Sequence, residues 1–145
     1  MGTWDIGPFD NDTAADFAGD LDEAAVEERE PMIRSVLERA VAAKEFLETP
    51  DAERAVAAVA LVVAQLPDGA PAHANYGPSE PLPVLPADLR TLAVEALDRV
   101  VAESSEIAEL WDDVPDGRKW RQDVTRLRDV LEPPIPPQEE ALFVR

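Results

Sequence analysis

Carboxylates recur at intervals of three or four residues near the start of the chain: Asp12, Asp16, Asp20, Glu23 and Glu27. On a helix this spacing places all five on one face, opposite the apolar Phe17 and Leu21. Like charges four residues apart repel, which costs a helix about 0.2–0.5 kcal/mol per pair. A one-sided arrangement that lowers helix stability favours a surface that docks a basic protein partner, and these five residues are the predicted partner-binding set.

The same carboxylates raise the question of a metal ion. A ferritin-type site in a helical bundle needs two Glu-x-x-His pairs, and the chain has a single histidine. The run Asp10-Asn11-Asp12 starts like a calcium loop, but Ala15 and Leu21 stand where that loop requires glycine and glutamate. We therefore predict no metal site, no cofactor and no catalytic residue, and we expect Asn11 or Asp12 to cap a helix.

The composition excludes several classes of protein. The 145 residues suggest one domain, and 31 acids against 13 bases give a net charge of −18. Such a chain repels nucleic acids and anionic membranes, which bind through lysine and arginine. The longest apolar run, residues 55–64, is far short of the roughly 20 residues that span a membrane. Because the chain has no cysteine and no apolar leader, we expect a cytoplasmic protein that binds neither nucleic acid nor membrane.

Apolar residues at helical spacing predict five to six helices and no strand. The predicted helices are 12–27, 31–48, 50–66, 87–102, a short helix after Ser104 or Ser105, and 117–131. Pro31 and Pro50 suit the first turns of the second and third helices, with Thr49 as the cap of the third. Residues 55–64 are apolar on every side, which predicts a central helix surrounded by the others. The predicted fold class is therefore an all-α, single-domain helical bundle.

Two proline-rich segments interrupt this pattern. Residues 67–86 contain six prolines and form a longer loop than is usual inside a compact domain. We expect this segment to cross the bundle as a strap with four side chains facing inward: Tyr76, Leu82, Val84 and Leu85. Residues 133–137 end the last helix, so the predicted division is a helical domain at 1–132 and a proline-rich tail at 133–145. The apolar end of the tail either docks on the bundle or reaches a partner.

The tryptophans and a basic stretch indicate how the elements meet. We expect at least two of Trp4, Trp111 and Trp120 to share one cluster near the N-terminal turn. Residues 118–128 hold five bases and one acid, whereas residues 1–30 hold ten acids and one base. We expect this basic stretch to pair, within the chain, with the acidic N-terminal segment.

The first residues predict a compact aromatic turn made of Trp4, Gly7, Pro8 and Phe9, with Asn11 as the cap that follows it. Together with their neighbours they resemble the start of a bacterial, mainly actinobacterial, family of small acidic proteins of unknown function. The start of that family reads MGxWGxGPF(D/E)NDxA, and the further matching residues here are Met1, Gly2, Asp10, Asp12 and Ala14. Asp5 departs from the pattern, because the family usually has glycine there. The resemblance covers the first 22 residues and implies no activity, cofactor or site.

Three functions are compatible with these features. The leading hypothesis is a non-enzymatic acidic protein that docks a basic protein partner, as an immunity protein, an antitoxin or a mimic of nucleic-acid phosphates does. The first alternative is a carboxylate- or metal-dependent enzyme of unknown reaction. The second is a scaffold that self-associates through its apolar tail. The oligomeric state is open.

Overall fold

The computed structural model describes Phe9 and residues 11–66, 84–102 and 104–132. These residues form six helices and no strand, which confirms the predicted all-α, single-domain bundle. The helices are α1 (Asp12–Glu23), α2 (Val26–Ala42), α3 (Thr49–Ala64), α4 (Asp88–Val101), α5 (Glu106–Asp112) and α6 (Gly117–Leu131). No helix in this part of the chain combines the length and apolar character that crossing a membrane requires.

Helix α3 is the centre of the bundle. It contacts each of the other five helices, and every residue from Ala55 to Val63 is buried. Five of its buried residues are alanines, and such small side chains let neighbouring helices approach closely. The apolar surface all round the helix predicted this position, and the prediction is confirmed.

Helix α1 begins as the sequence predicts and ends earlier. Asn11 is its N-cap, and its side-chain oxygen accepts a hydrogen bond of 2.7 Å from the N–H of Ala14. Phe17 and Leu21 are buried and anchor the helix on the core. The helix ends at Glu23, four residues before the predicted end, and α2 then begins at Val26. The prediction that Glu27 belongs to the first helix is therefore wrong.

Helix α2 also departs from the prediction at both ends. Pro31 lies inside the helix rather than in its first turn, where its missing N–H removes one bond of the helical ladder. The helix ends at Ala42, well before the predicted residue 48. The connection that follows carries Leu47, which is fully buried and forms an isolated parallel bridge with Ser105. A long-range backbone pairing thus replaces the last predicted turn.

Two connections, 43–48 and 102–105, are joined by this bridge. The N–H of Leu47 donates to the carbonyl oxygen of Ser104 at 2.8 Å, and the N–H of Glu106 donates to that of Leu47 at 2.9 Å. A side-chain oxygen of Glu106 also accepts a 2.8 Å bond from the N–H of Thr49. Glu48 rather than Thr49 is the N-cap residue of α3, and it makes no side-chain capping bond. The carboxylate that satisfies the start of α3 therefore comes from α5.

Three arginines bind the C-terminal ends of helices. Arg29 donates to the carbonyl oxygen of Ala24, the C-cap of α1, at 3.0 Å. Arg90 donates to that of Leu131 in α6 at 2.6 Å. Arg99 donates to that of Ala43, the C-cap of α2, at 3.0 Å. Each places a positive charge on carbonyls that have no helical partner, where the helix dipole also favours a cation.

Some predicted features fall outside the described residues, including residues 1–8, most of the proline-rich segment and the tail at 133–145. At the described edge of the strap, Leu85 packs against the core, and its N–H donates to the side chain of Gln65 at 2.9 Å. Val84 is 92% exposed, so the prediction that it faces inward is wrong.

Candidate functional site

We use the term acidic surface for the five predicted carboxylates: Asp12, Asp16, Asp20, Glu23 and Glu27. All five are exposed. The structure places the first four on α1 and Glu27 in the first turn of α2. The predicted continuous stripe on one helix is thus divided between two consecutive helices.

Within the part of the chain that the structure describes, no lysine or arginine forms an ion pair with the acidic surface. Eight ion pairs occur among the described residues, and all of them lie at or beyond residue 30. Helix α1 contains no lysine or arginine. Asp12 lies at the N-terminus of α1, where the helix dipole favours an acid, whereas Asp20 and Glu23 lie near the C-terminal end, where it disfavours one. These charges are accessible to a partner, and their repulsion opposes the helix.

Arg29 is a residue whose role the sequence analysis missed. Its side chain is buried, with only 6% of the residue exposed, and it donates to the carbonyl oxygens of Asp22 and Ala24 at 3.3 and 3.0 Å. It supplies the positive charge that the last turn of α1 lacks. Its signal in the sequence is that it is the single base among the first 30 residues.

The carboxylates do not form a metal site in the part of the chain described. In residues 11–66, 84–102 and 104–132 no three histidine, aspartate or glutamate side chains lie close enough to hold one ion. On the acidic surface the side chains follow each other along the outside of α1, with Glu27 on α2. Such an arrangement suits contact with an extended basic surface better than a single ion.

The basic residues of α6 are engaged differently from the prediction. Arg121 forms a two-bond pair with Asp112 of α5 at 2.9 and 3.0 Å. Arg128 forms one with Asp98 of α4 at 2.7 and 3.2 Å. Arg126 pairs with Asp123 on α6 itself, at 2.9 Å. For residues 11–30 of the acidic N-terminal segment the predicted pairing with these arginines is wrong, because the packing of α6 against α4 and α5 brings nearer acids to them.

These pairs alter the proton affinity of the partners. The hydrogen bonds from Arg121 hold the pKa of Asp112 below its ordinary value. The pKa of Arg128 is raised, chiefly by its hydrogen bonds to Asp98. Both effects favour the charged forms, so the pairs persist at neutral pH. The two other bases of this stretch, Arg118 and Lys119, are exposed and form no ion pair with a described residue.

The contact between α5 and α6 is built from aromatic rings and a glycine. The rings of Trp111 and Trp120 stack with centroids 5.9 Å apart and planes 7° from parallel. The guanidinium of Arg121 lies 5.9 Å from the centroid of Trp120. At Gly117 any Cβ would overlap the carbonyl oxygen of Trp111, so only glycine permits this approach. Two of the three tryptophans share a cluster as predicted. Its place near the N-terminal turn stays a prediction, because Trp4, Gly7 and Pro8 of that turn lie outside the described residues.

A groove of about 680 Å³ runs along the outer side of α6 and the turn before it. We call it the α6 groove. Its polar lining comes from α6 and from the end of α5: Asp112, Arg118, Arg121, Gln122, Thr125, Arg126 and Asp129. Because these α6 positions are three or four residues apart, they form one face of the helix. The sequence marked this stretch as basic without indicating a groove.

The five helices around a buried α3 define an all-α bundle with an acidic α1. The chain belongs to a family described as a domain of unknown function (DUF4259), whose model matches residues 2–123. The match includes the N-terminal motif and ends inside α6. No curated protein and no solved structure matches the chain. The predicted membership of an uncharacterised family is confirmed, and the predicted bacterial origin stays an expectation.

Proposed function

We propose that this protein is a non-enzymatic binding protein whose acidic surface docks a basic protein partner. One observation carries the proposal: four carboxylates of α1 are exposed and take part in none of the ion pairs of the described residues, namely Asp12, Asp16, Asp20 and Glu23. Acids elsewhere, such as Asp88, Asp98 and Asp112, are engaged by arginines. Acids that are exposed, lie together on one surface and form no ion pair with a described residue are available to bind.

The electrostatics of the chain support such a role. A net charge of −18 raises the rate at which a basic protein encounters this one. Because exposed charges are screened within about 8–10 Å at physiological ionic strength, complex formation weakens as salt rises. The partner class is an immunity or antitoxin target, or a nucleic-acid-binding protein whose phosphate site the carboxylates imitate. The helical domain at 1–132 carries the surface, and the cytoplasm is the proposed site of action.

The experiment that tests the proposal compares two triple variants in a pull-down from lysate of the source organism. The first, Asp16→Asn with Asp20→Asn and Glu23→Gln, removes three charges from the acidic surface. The matched control is Glu38→Gln with Glu95→Gln and Glu109→Gln, which removes three exposed acids from α2, α4 and α5. Both variants have the same net charge, so a difference between them reports the location of the charge.

We expect the wild-type chain to capture a basic protein at low salt and to release it as salt rises. The control should capture the same protein, and the acidic-surface variant should not. Equal capture by the two variants would refute the docking surface. An empty pull-down together with a thermal shift caused by Mg²⁺ or Mn²⁺ and reversed by chelator would instead support the enzyme alternative.

A further inference from the structure

The α6 groove is lined by hydrogen-bond donors that are not used in packing α6 against the bundle. Arg118 forms no ion pair with a described residue, and Gln122 and Thr125 are exposed beside it. Arg126 donates to Asp123 through one nitrogen. Because a guanidinium has five N–H donors, the others remain available to a ligand. By contrast, Arg121 is committed to Asp112 through two bonds. The available donors are therefore those of Arg118, Gln122, Thr125 and Arg126.

These donors match a phosphate better than a carboxylate. An arginine fork binds both groups through paired, charge-assisted hydrogen bonds. A carboxylate offers two oxygens as acceptors, whereas a phosphate offers three or four. The four donor side chains named above line the same groove, so a phosphate can use more of them. The volume of about 680 Å³ lies within the range of roughly 300–1,000 Å³ found for small-molecule sites.

The spacing along α6 separates the donors into two neighbouring positions. With a rise of about 1.5 Å per residue, Arg118 and Gln122 are about 6 Å apart along the axis, and Arg118 and Arg126 about 12 Å. A single phosphate is within reach of Arg118 and Gln122 together. Contact with Arg126 as well needs a ligand with a second or third phosphate further along the groove.

We propose that the α6 groove binds a small ligand with a short phosphate chain, with Arg118 and Gln122 on one phosphate and Arg126 on the next. This activity is separate from the docking of a basic protein on the acidic surface. The chain repels long polyanions because their many charges meet its acidic exterior. A short chain contacts only the groove. Of the two carboxylates that line it, Asp112 is neutralised by Arg121, and Asp129 lies beyond Arg126, at the end of the groove away from Arg118.

The test is isothermal titration calorimetry of the full chain with inorganic phosphate, pyrophosphate and tripolyphosphate. Ionic strength is kept constant with sodium chloride, so that charges are screened equally in the three titrations. We expect the affinity of the wild-type chain to rise with each added phosphate. If tripolyphosphate produces no saturable heat, or binds no more tightly than phosphate, the proposal is wrong.

Three single variants assign the positions. Arg118→Gln should weaken the binding of all three ligands by about tenfold or more, as expected for the loss of one charge-assisted hydrogen bond. Arg126→Gln should leave phosphate binding unchanged and remove the advantage of tripolyphosphate. Lys119→Gln is the matched control, because it removes an equal charge next to Arg118 on α6 but does not line the groove. An equal loss in the Lys119 and Arg118 variants would show general attraction by positive charge and would overturn the site.

Discussion

Helices α1 and α6 carry the two strongest charge biases of the chain, and the structure uses them in opposite ways. Helix α1 has five acids and no base, and four of them form no ion pair among the described residues: Asp12, Asp16, Asp20 and Glu23. Helix α6 has five bases and two acids, and three of its arginines are paired with acids of α4, α5 and α6. Most charges of α6 are therefore engaged by neighbouring acids, whereas these four carboxylates of α1 remain exposed at the surface.

The two helices also differ in what attaches them to the bundle. Helix α1 is attached by its apolar face and by one buried arginine from α2, Arg29. Helix α6 is attached by its apolar face, by the stack of Trp111 and Trp120, and by several side-chain pairs near the surface. We therefore expect the attachment of α1 to depend strongly on Arg29, and that of α6 to be shared among several side chains.

The largest expected effect is at Arg29. Replacing Arg29 with alanine removes its hydrogen bonds to the carbonyl oxygens of Asp22 and Ala24, which are part-buried, and a hydrogen bond from a charged donor contributes about 1.5–3 kcal/mol. We expect the free energy of unfolding in urea to fall by about 3 kcal/mol. Arg39→Ala is the control, because that side chain is 74% exposed and its pair with Asp51 is worth about 0–1 kcal/mol. Similar losses in the two variants would show that α1 does not depend on Arg29.

The next effect concerns the attachment of α6. Gly117→Ala places a methyl group against the carbonyl oxygen of Trp111, and overpacking of this kind costs about 1–3 kcal/mol. We expect a loss of stability in that range and a change in tryptophan fluorescence as the stack of Trp111 and Trp120 shifts. Gly19→Ala on α1 is the comparison, since nothing lies within 4 Å of an added Cβ there. That change should be neutral or stabilising, because alanine favours a helix.

A smaller effect is expected from acid. The pKa of Asp112 is lower in the folded chain than its ordinary value of 3.8, because Arg121 donates two hydrogen bonds to the carboxylate. A group whose pKa falls on folding stabilises the folded state at pH values above the ordinary pKa. That contribution is lost as the pH falls below about 3.8 and through the lower value in the folded chain. Asp112→Asn should therefore lower stability at pH 7 and flatten the fall of stability in acid, as followed by urea unfolding at several pH values. If the wild-type chain and the variant lose stability in parallel, the pair does not contribute.

The architecture could be predicted where a signal is local. Residues 55–64 are apolar on all sides, which is sufficient to make α3 the centre. The turn that ends at Gly117 marks the start of α6, and the prolines after residue 132 mark its end. The end of α1 could not be predicted, because Ala24, Ala25 and Val26 contain no helix breaker and the boundary depends on a contact with Arg29. The bridge between Leu47 and Ser105 depends on residues 58 positions apart and leaves no pattern in either segment.

The candidate sites show the same limit. The spacing of Asp12, Asp16 and Asp20 was enough to predict an exposed acidic face, because it depends on one helix alone. The partners of Arg121 and Arg128 come from α5 and α4, so composition indicated a basic stretch but not what neutralises it. The sequence did not predict the α6 groove for the same reason. Which arginines of α6 are available to a ligand depends on which are paired with acids of other helices.

The central claim is that the carboxylates of the acidic surface are free for a partner. It is tested most directly by how their removal changes the stability of the fold. The measurement is the free energy of unfolding, in urea at low and at high salt, of the acidic-surface variant Asp16→Asn, Asp20→Asn, Glu23→Gln. Because repulsion between neighbouring acids is relieved, we predict a gain of about 0.5 kcal/mol at low salt that disappears at high salt. A loss of stability beyond that of the control variant Glu38→Gln, Glu95→Gln, Glu109→Gln would contradict the claim, because the carboxylates of α1 would then be part of what holds the bundle together.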